Sequence, residues 1–249
     1  MYHFFVGPEN IRDEYIKVLG DDINHIKNVL RMKIGEKVLI GDGTGKEYTC
    51  AISEISDEEI LLIIEDFNNE GRELPVDIYL FQGLPKSDKM ELIIQKAVEL
   101  GAKNIIPVAT KRCVVKIDKK KEESKIKRWQ AISESAAKQS KRGIIPEIYG
   151  CMTFKEAVDF CKDFDIMIIP YENCESMAAT KKVLDKIKPN QKIAIFIGPE
   201  GGFCESEIEY AIENKVIPVS LGKRILRTET AGLMILSVIM YKIEEQMSK

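Results

Sequence analysis

Apolar and polar side chains alternate in three short runs of the first third of the chain, at residues 37–40, 49–55 and 60–64, with turn-forming residues between them. A period of two marks strands with one buried face. One helical pattern stands apart from these, near residues 22–30. The first two runs are joined through Asp42-Gly43-Thr44-Gly45, whose glycines supply the positive φ that a hairpin connection needs. This part therefore predicts a small β-barrel or half-barrel with one helix. Asn68-Asn69-Glu70-Gly71-Arg72 reads as a linker, and beyond it the pattern changes. Compact apolar runs at residues 76–81, 105–108, 166–169, 193–197 and 216–221 alternate with helical patterns near 88–100, 122–140, 154–161, 177–187, 205–213 and 228–246. Such alternation predicts βαβ units around a parallel sheet. The expected class is α/β, with a small β domain in residues 1–72 and a larger domain in residues 73–249. In open parallel sheets ligands sit at the carboxyl ends of the strands, which directs attention to the loops after Ile197 and Leu221.

Charge changes this picture because it is segregated. The chain of 249 residues has a net charge of −3, an unpromising total for a nucleic-acid binder. Residues 1–72 carry 8 basic against 15 acidic side chains, whereas Lys111 to Arg142 carry 12 basic against 4 acidic. A local excess of this kind can neutralise phosphates on an acidic protein. It also suits a solvated, charge-rich helix face. Six cysteines, Cys50, Cys113, Cys151, Cys161, Cys174 and Cys204, are scattered without a C-x-x-C pair, and only His3 and His25 are histidines, so neither a metal site nor a disulfide framework is expected. No apolar run approaches the ~20 residues that span a bilayer. Met1 to Val6 has neither a basic segment nor a cleavage site, and a cytoplasmic location is expected.

Gly41 to Glu47 superficially resembles a phosphate-binding P-loop, but only three residues separate Gly41 from Gly45 and Glu47 stands where a hydroxyl would hold magnesium. Two other loops are better candidates. Gly198-Pro199-Glu200-Gly201-Gly202 follows a buried strand and precedes a helix, so its backbone can approach a ligand closely; a tight turn with no ligand would read the same way. Leu221-Gly222-Lys223-Arg224-Ile225-Leu226-Arg227-Thr228-Glu229-Thr230-Ala231 runs into an apolar final helix, whose start leaves N–H groups and polar side chains free to face a ligand. Thr228 could equally cap that helix, with Arg227 and Glu229 in surface ion pairs. The helix itself is apolar on more than one face, which fits either a homodimer interface or a deeply buried position.

Taken together, these two loops resemble the cofactor-binding loops of SPOUT methyltransferases, in particular the RsmE family of 16S ribosomal RNA uridine-N3 methyltransferases. Lys86-Ser87-Asp88-Lys89 with Gln95 to Gly101, and Arg128-Trp129 with Gln139 to Arg142, resemble that family's first helix and basic helix. His25, Val29-Leu30-Arg31, Gly35 and Asp42-Gly43-x-Gly45 are similar to its amino-terminal domain. Lys138 and Lys141 depart from the pattern, where an acidic residue and a glycine are expected. The resemblance implies a carboxy-terminal SPOUT α/β domain tied in a trefoil knot, a PUA-like amino-terminal β-barrel domain and a homodimer. It further implies S-adenosyl-L-methionine as cofactor, bound at Gly198, Gly202, Leu221, Gly222, Ile225, Leu226, Thr230 and Ala231.

Methylating uridine N3 requires loss of its proton and stabilisation of the charge that spreads onto the flanking carbonyl oxygens. Arg227 is the expected cation, and Glu229 or Glu200 the expected base. Arg31, Arg112, Lys116, Arg128, Lys138 and Arg142 are expected to reach 16S rRNA, as naked RNA or in the small ribosomal subunit. The target base must be unpaired or flipped out to expose N3. A SPOUT enzyme acting on a ribose 2′-hydroxyl or a transfer-RNA base, and a non-catalytic RNA-binding assembly protein, remain alternatives at this stage.

Overall fold

The computed structural model describes residues 1–68, 71–115, 119–172 and 176–248. It separates into two compact units, one of residues 1–73 with 137–145 and the other of residues 74–136 with 146–249. The first unit thus takes in a segment from far along the chain.

In the first unit, strands β1 (Tyr2–Phe5), β2 (Tyr15–Val18), β3 (Lys37–Gly41), β4 (Glu47–Ile55) and β5 (Ile60–Asn68) form one sheet in the order β1-β3-β4-β5-β2. Only β1 and β3 run parallel. All five strands contribute to a single core, which includes Phe4, Ile16, Val38, Ile40, Cys50, Ile52, Ile60 and Leu62. The inward period-two positions found in the sequence are therefore the ones that close over this core. Helix α1 (Asp21–Asn24) continues as a widened turn over His25–Val29 and adds Ile23 and Ile26. The hairpin joins Gly41 to Glu47 as expected. Its Asp42 carboxylate accepts from the Thr44 N–H at 2.7 Å and the Lys46 N–H at 3.2 Å, which fixes the turn locally.

The returning segment 137–145 explains both departures from the family pattern. Lys138 hydrogen-bonds the Asp22 carboxylate at 3.1 Å, so its positive charge meets an acidic partner. Lys141 has φ 58, a left-handed conformation that glycine adopts without strain. Next to it, Arg142 is buried, and its guanidinium donates to the Glu73 carboxylate through Nε and through Nη2 at 2.5 Å. Glu73 also accepts from the N–H groups of Gly143 and Ile144.

His3 on β1 is buried. Burial first, and then the positive charge of Arg72, hold its imidazole down to about 4, against the pull of the backbone at Lys138 and Ala137. A group whose protonation the fold suppresses leaves stability intact above its unfolded pKa of 6.5 and withdraws it as pH falls towards 4. Urea unfolding across that range should lose roughly 3 kcal/mol through His3, and His3→Phe should flatten this part of the profile. A slope unchanged by the substitution would assign the loss to other groups.

In the second unit, β6 (Asp77–Gly83), β7 (Asn104–Ala109), β8 (Glu147–Ile148), β9 (Met152–Thr153), β10 (Ile166–Pro170), β11 (Lys192–Ile197) and β12 (Ile217–Val219) form a sheet ordered β12-β10-β11-β6-β7-β8, with β9 also on β7. Among the described residues every strand pairing in this sheet is parallel, as the alternating pattern predicts. The helices are α2 (Lys89–Glu99), α3 (Lys119–Ser140), α4 (Phe154–Phe160), α5 (Met177–Leu184), α6 (Glu205–Glu213) and α7 (Thr228–Met247). Apolar strand residues such as Leu80, Phe81, Ile106, Ile168, Ile195 and Phe196 are buried because helices cover both faces of such a sheet. From β6 the chain moves outward through β7 and β8, then crosses to β10 and β11 on the other side of β6. The switch point therefore lies between β6 and β11, where a crevice for a ligand opens in this class of sheet. Among the described residues no helix is long and apolar enough to cross a membrane.

Candidate active site at the carboxyl ends of the parallel strands

The ends of β6 and β11 lie side by side, with Gln82 paired to Ile197. Gly83 is pressed against the next loop so closely that a Cβ there would stand 2.6 Å from Pro199 N, and only glycine permits that approach. After Gly198 the loop folds back on itself. The Gly202 N–H donates to the Pro199 carbonyl at 2.9 Å, and Gly202 takes φ 65. On the outside of this turn, the Arg112 guanidinium donates to the Gly201 carbonyl at 3.1 Å.

The second predicted loop begins at the end of β12, where the Ser220 backbone is bonded in both directions to the Thr180 hydroxyl, each at 2.9 Å. Leu221 and Leu226 are half-buried, whereas Gly222 and Thr230 are exposed and Ile225 is 88% exposed. The loop ends at α7, which meets the first loop directly: the Thr228 hydroxyl donates to the Gly198 carbonyl at 2.6 Å. Of the candidate cofactor residues, the structure thus connects Gly198 to the helix start that carries Thr230 and Ala231. Arg227 is exposed, and its carbonyl accepts from the Thr230 and Ala231 N–H groups at the head of α7.

A family model described as the RNA methyltransferase domain matches residues 72–240, and one described as the RNA methyltransferase PUA domain matches residues 18–65. Ribosomal RNA small subunit methyltransferase E of Bacillus subtilis is 37% identical over 230 residues, covering 91% of this chain and 90% of the relative. The chain belongs to the ribosomal RNA small subunit methyltransferase E family. A relative from Synechocystis is 30% identical, covering 96% of this chain and 77% of its own length. The crystal structure of the Neisseria gonorrhoeae family member, bound to S-adenosyl methionine, matches with a TM-score of 0.84 at 32% identity, covering 97% of this chain and 98% of that one.

In this family member, the two candidate bases share a partner that sequence reading did not assign to the site. Lys89 Nζ lies 2.9 Å from Glu200 Oε1 and 3.3 Å from Glu229 Oε2. The Lys86 N–H also donates to the Glu200 carboxylate, at 3.1 Å. Partial burial tends to raise the Glu200 carboxyl, but the hydrogen bonds from Lys89 and from the backbone outweigh it and hold the group below its usual range. The hydrogen bond to Glu200 raises Lys89 in turn. Glu229 is the less committed carboxylate: its Oε2 is buried and lacks a bond of hydrogen-bonding geometry among the described residues. Two carboxylates around one lysine, the close-approach turn from Gly198 to Gly202 and half-buried leucines gather at the carboxyl ends of the strands, a mix of polar and apolar groups suited to an amphipathic ligand.

The predicted RNA-facing cations divide. Arg31 is exposed, and Arg128 is exposed while paired with Glu91 at 2.6 Å. Lys116 lies outside the described residues. Arg142 is enclosed by its pair with Glu73, and Lys138 is paired with Asp22; both ion pairs lie within the first unit. The signal that separates them is a carboxylate 69 positions earlier for Arg142 and 116 earlier for Lys138, which a local charge count does not register.

Proposed function

We propose that the protein is an S-adenosylmethionine-dependent methyltransferase of small-subunit ribosomal RNA that acts on N3 of a uridine. The observation that carries the reading is the meeting of the Gly198 to Gly202 turn, the Gly83 strand end and the head of α7 at the sheet's switch point, in a chain of this family. When bound, the cofactor supplies a methyl on a positively charged sulfur, which becomes a neutral thioether as the N3–methyl bond forms. The backbone at Gly198, Gly202, Leu221 and Gly222, the side chains of Ile225 and Leu226, and the small residues Thr230 and Ala231 would hold it.

The chain's own chemistry lies in placement and charge. Glu229 is the better base of the two glutamates, since Glu200 is committed to Lys89 and the Lys86 N–H. Its carboxylate takes the N3 proton and returns it to solvent, while Arg227 faces the negative charge on the uridine carbonyl oxygens. Arg31, Arg112, Lys116 and Arg128 supply phosphate contacts. The half-buried Leu233, Met234, Val238 and Met240 of α7, with Tyr241 at 70% exposure, support association with a second copy, and a cytoplasmic location accords with the substrate.

Calorimetric titration with S-adenosylmethionine tests this reading against a purely RNA-binding protein, which has no need of the cofactor. Saturable binding to the purified protein is expected; its absence would favour the binding module. RNA affinity should also fall steeply with salt. With about three or four phosphates neutralised, raising salt fourfold costs roughly two orders of magnitude. A flat response in a filter-binding series would remove these cations from the interface.

A further inference from the structure

Gln82 is a polar residue fully buried in β6 among Leu80, Phe81 and Leu84, where an amide is costly unless it is bonded. Both amide hydrogens are used: Nε2 donates to the Gly83 carbonyl and to Thr228 Oγ1, each at 2.9 Å. Oε1 is buried without a partner among the described residues. Because the Gly83 carbonyl can only accept, the amide cannot be turned over, and its oxygen must face away, towards Gly232. The Thr228 hydroxyl accepts from Gln82, so its own hydrogen is directed to the Gly198 carbonyl at 2.6 Å. The result is a relay with one direction, Gln82 to Thr228 to Gly198. An apolar side chain of similar shape would fill the core without an unsatisfied acceptor; what the amide adds is orientation of the hydroxyl.

We propose that Gln82 and Thr228 are positioning residues of the methyl-transfer site, setting the register between the Gly198 to Gly202 loop and the head of α7. The proposal rests on the cofactor-binding reading of those loops. Pro199 offers no N–H, and Gly83 abuts it on one side, so the Gly198 carbonyl is the handle by which the loop can be held from the other. Thr228 stands between Arg227 and Glu229, and the same bond therefore fixes where those two side chains start.

The test measures S-adenosylmethionine affinity by calorimetry, alongside melting temperature, for wild type, Thr228→Val, Thr228→Ser and Gln82→Leu. Thr228→Val should weaken binding about tenfold, equivalent to 1.4 kcal/mol, while Thr228→Ser stays within about threefold of wild type. Gln82→Leu should weaken binding by a similar factor with a melting temperature within about 3 °C of wild type, since it removes the orphaned acceptor together with the donors. Should Gln82→Leu fail to fold, the two Thr228 variants carry the test alone. Wild-type affinity in Thr228→Val, or a loss in Thr228→Ser equal to that in Thr228→Val, overturns the relay while leaving the cofactor reading intact. A wild-type protein that binds no cofactor overturns that reading, and the relay's role with it.

Discussion

Replacing Arg227 with alanine is expected to lower turnover by about two to three orders of magnitude, the usual cost of removing one charge-stabilising donor from a reacting centre. Cofactor affinity should change by less than about threefold. The asymmetry follows from position. Arg227 contributes its carbonyl to the head of α7, which alanine retains, whereas its exposed guanidinium is available to a substrate. Single-turnover methylation with saturating cofactor separates the two effects. An equal loss in turnover and affinity would make Arg227 a binding or structural residue, and Lys89, already between both glutamates, would become the first choice for the cation.

Replacing Arg142 with alanine should be the most damaging single change to the fold. The substitution leaves the Glu73 carboxylate with two backbone N–H groups but without its guanidinium, in a setting where Arg142 is only 6% exposed. Breaking one side of such a pair costs about 3 to 5 kcal/mol. Chemical denaturation should report that loss, and Arg142→Lys should recover only part of it, because a single ammonium cannot reproduce the fork of the guanidinium. A variant that keeps wild-type stability while losing RNA affinity would show that Arg142 serves the RNA rather than the fold.

Much of the fold was legible because burial on both faces of a parallel sheet leaves uninterrupted apolar runs. Those at β6, β7, β10 and β11 are found within one or two residues of where the pattern places them. β1 and β2 lie outside the runs that predict strands: Tyr2 to Phe5 shows no alternation of apolar and polar side chains, and Tyr15 to Val18, though alternating, finds its partner only in β5, far along the chain. The two-residue strands β8 and β9 are too short to show any period. Nor does any local pattern reveal that residues 137–145 belong with the first unit, since that depends on Glu73 and Asp22 finding partners across the length of the chain.

The site divides along the same line. Its glycine loops could be read from the sequence because close approach and positive φ restrict residue type at fixed positions. Lys89 stands out in the sequence only as part of a helix motif, and Gln82 belongs to none of the motifs. Their partners lie 111 residues away at Glu200 and 146 away at Thr228. A glutamine inside an otherwise apolar strand was the one local sign, as buried amides require partners.

The most direct test is transfer of labelled methyl from S-adenosylmethionine to small ribosomal subunits that lack the modification, with nucleoside analysis of the product and naked RNA run in parallel. The account predicts label in 3-methyluridine. Label in a 2′-O-methylated or other nucleoside would contradict the N3 assignment, and no transfer to subunits or RNA would contradict the enzyme itself.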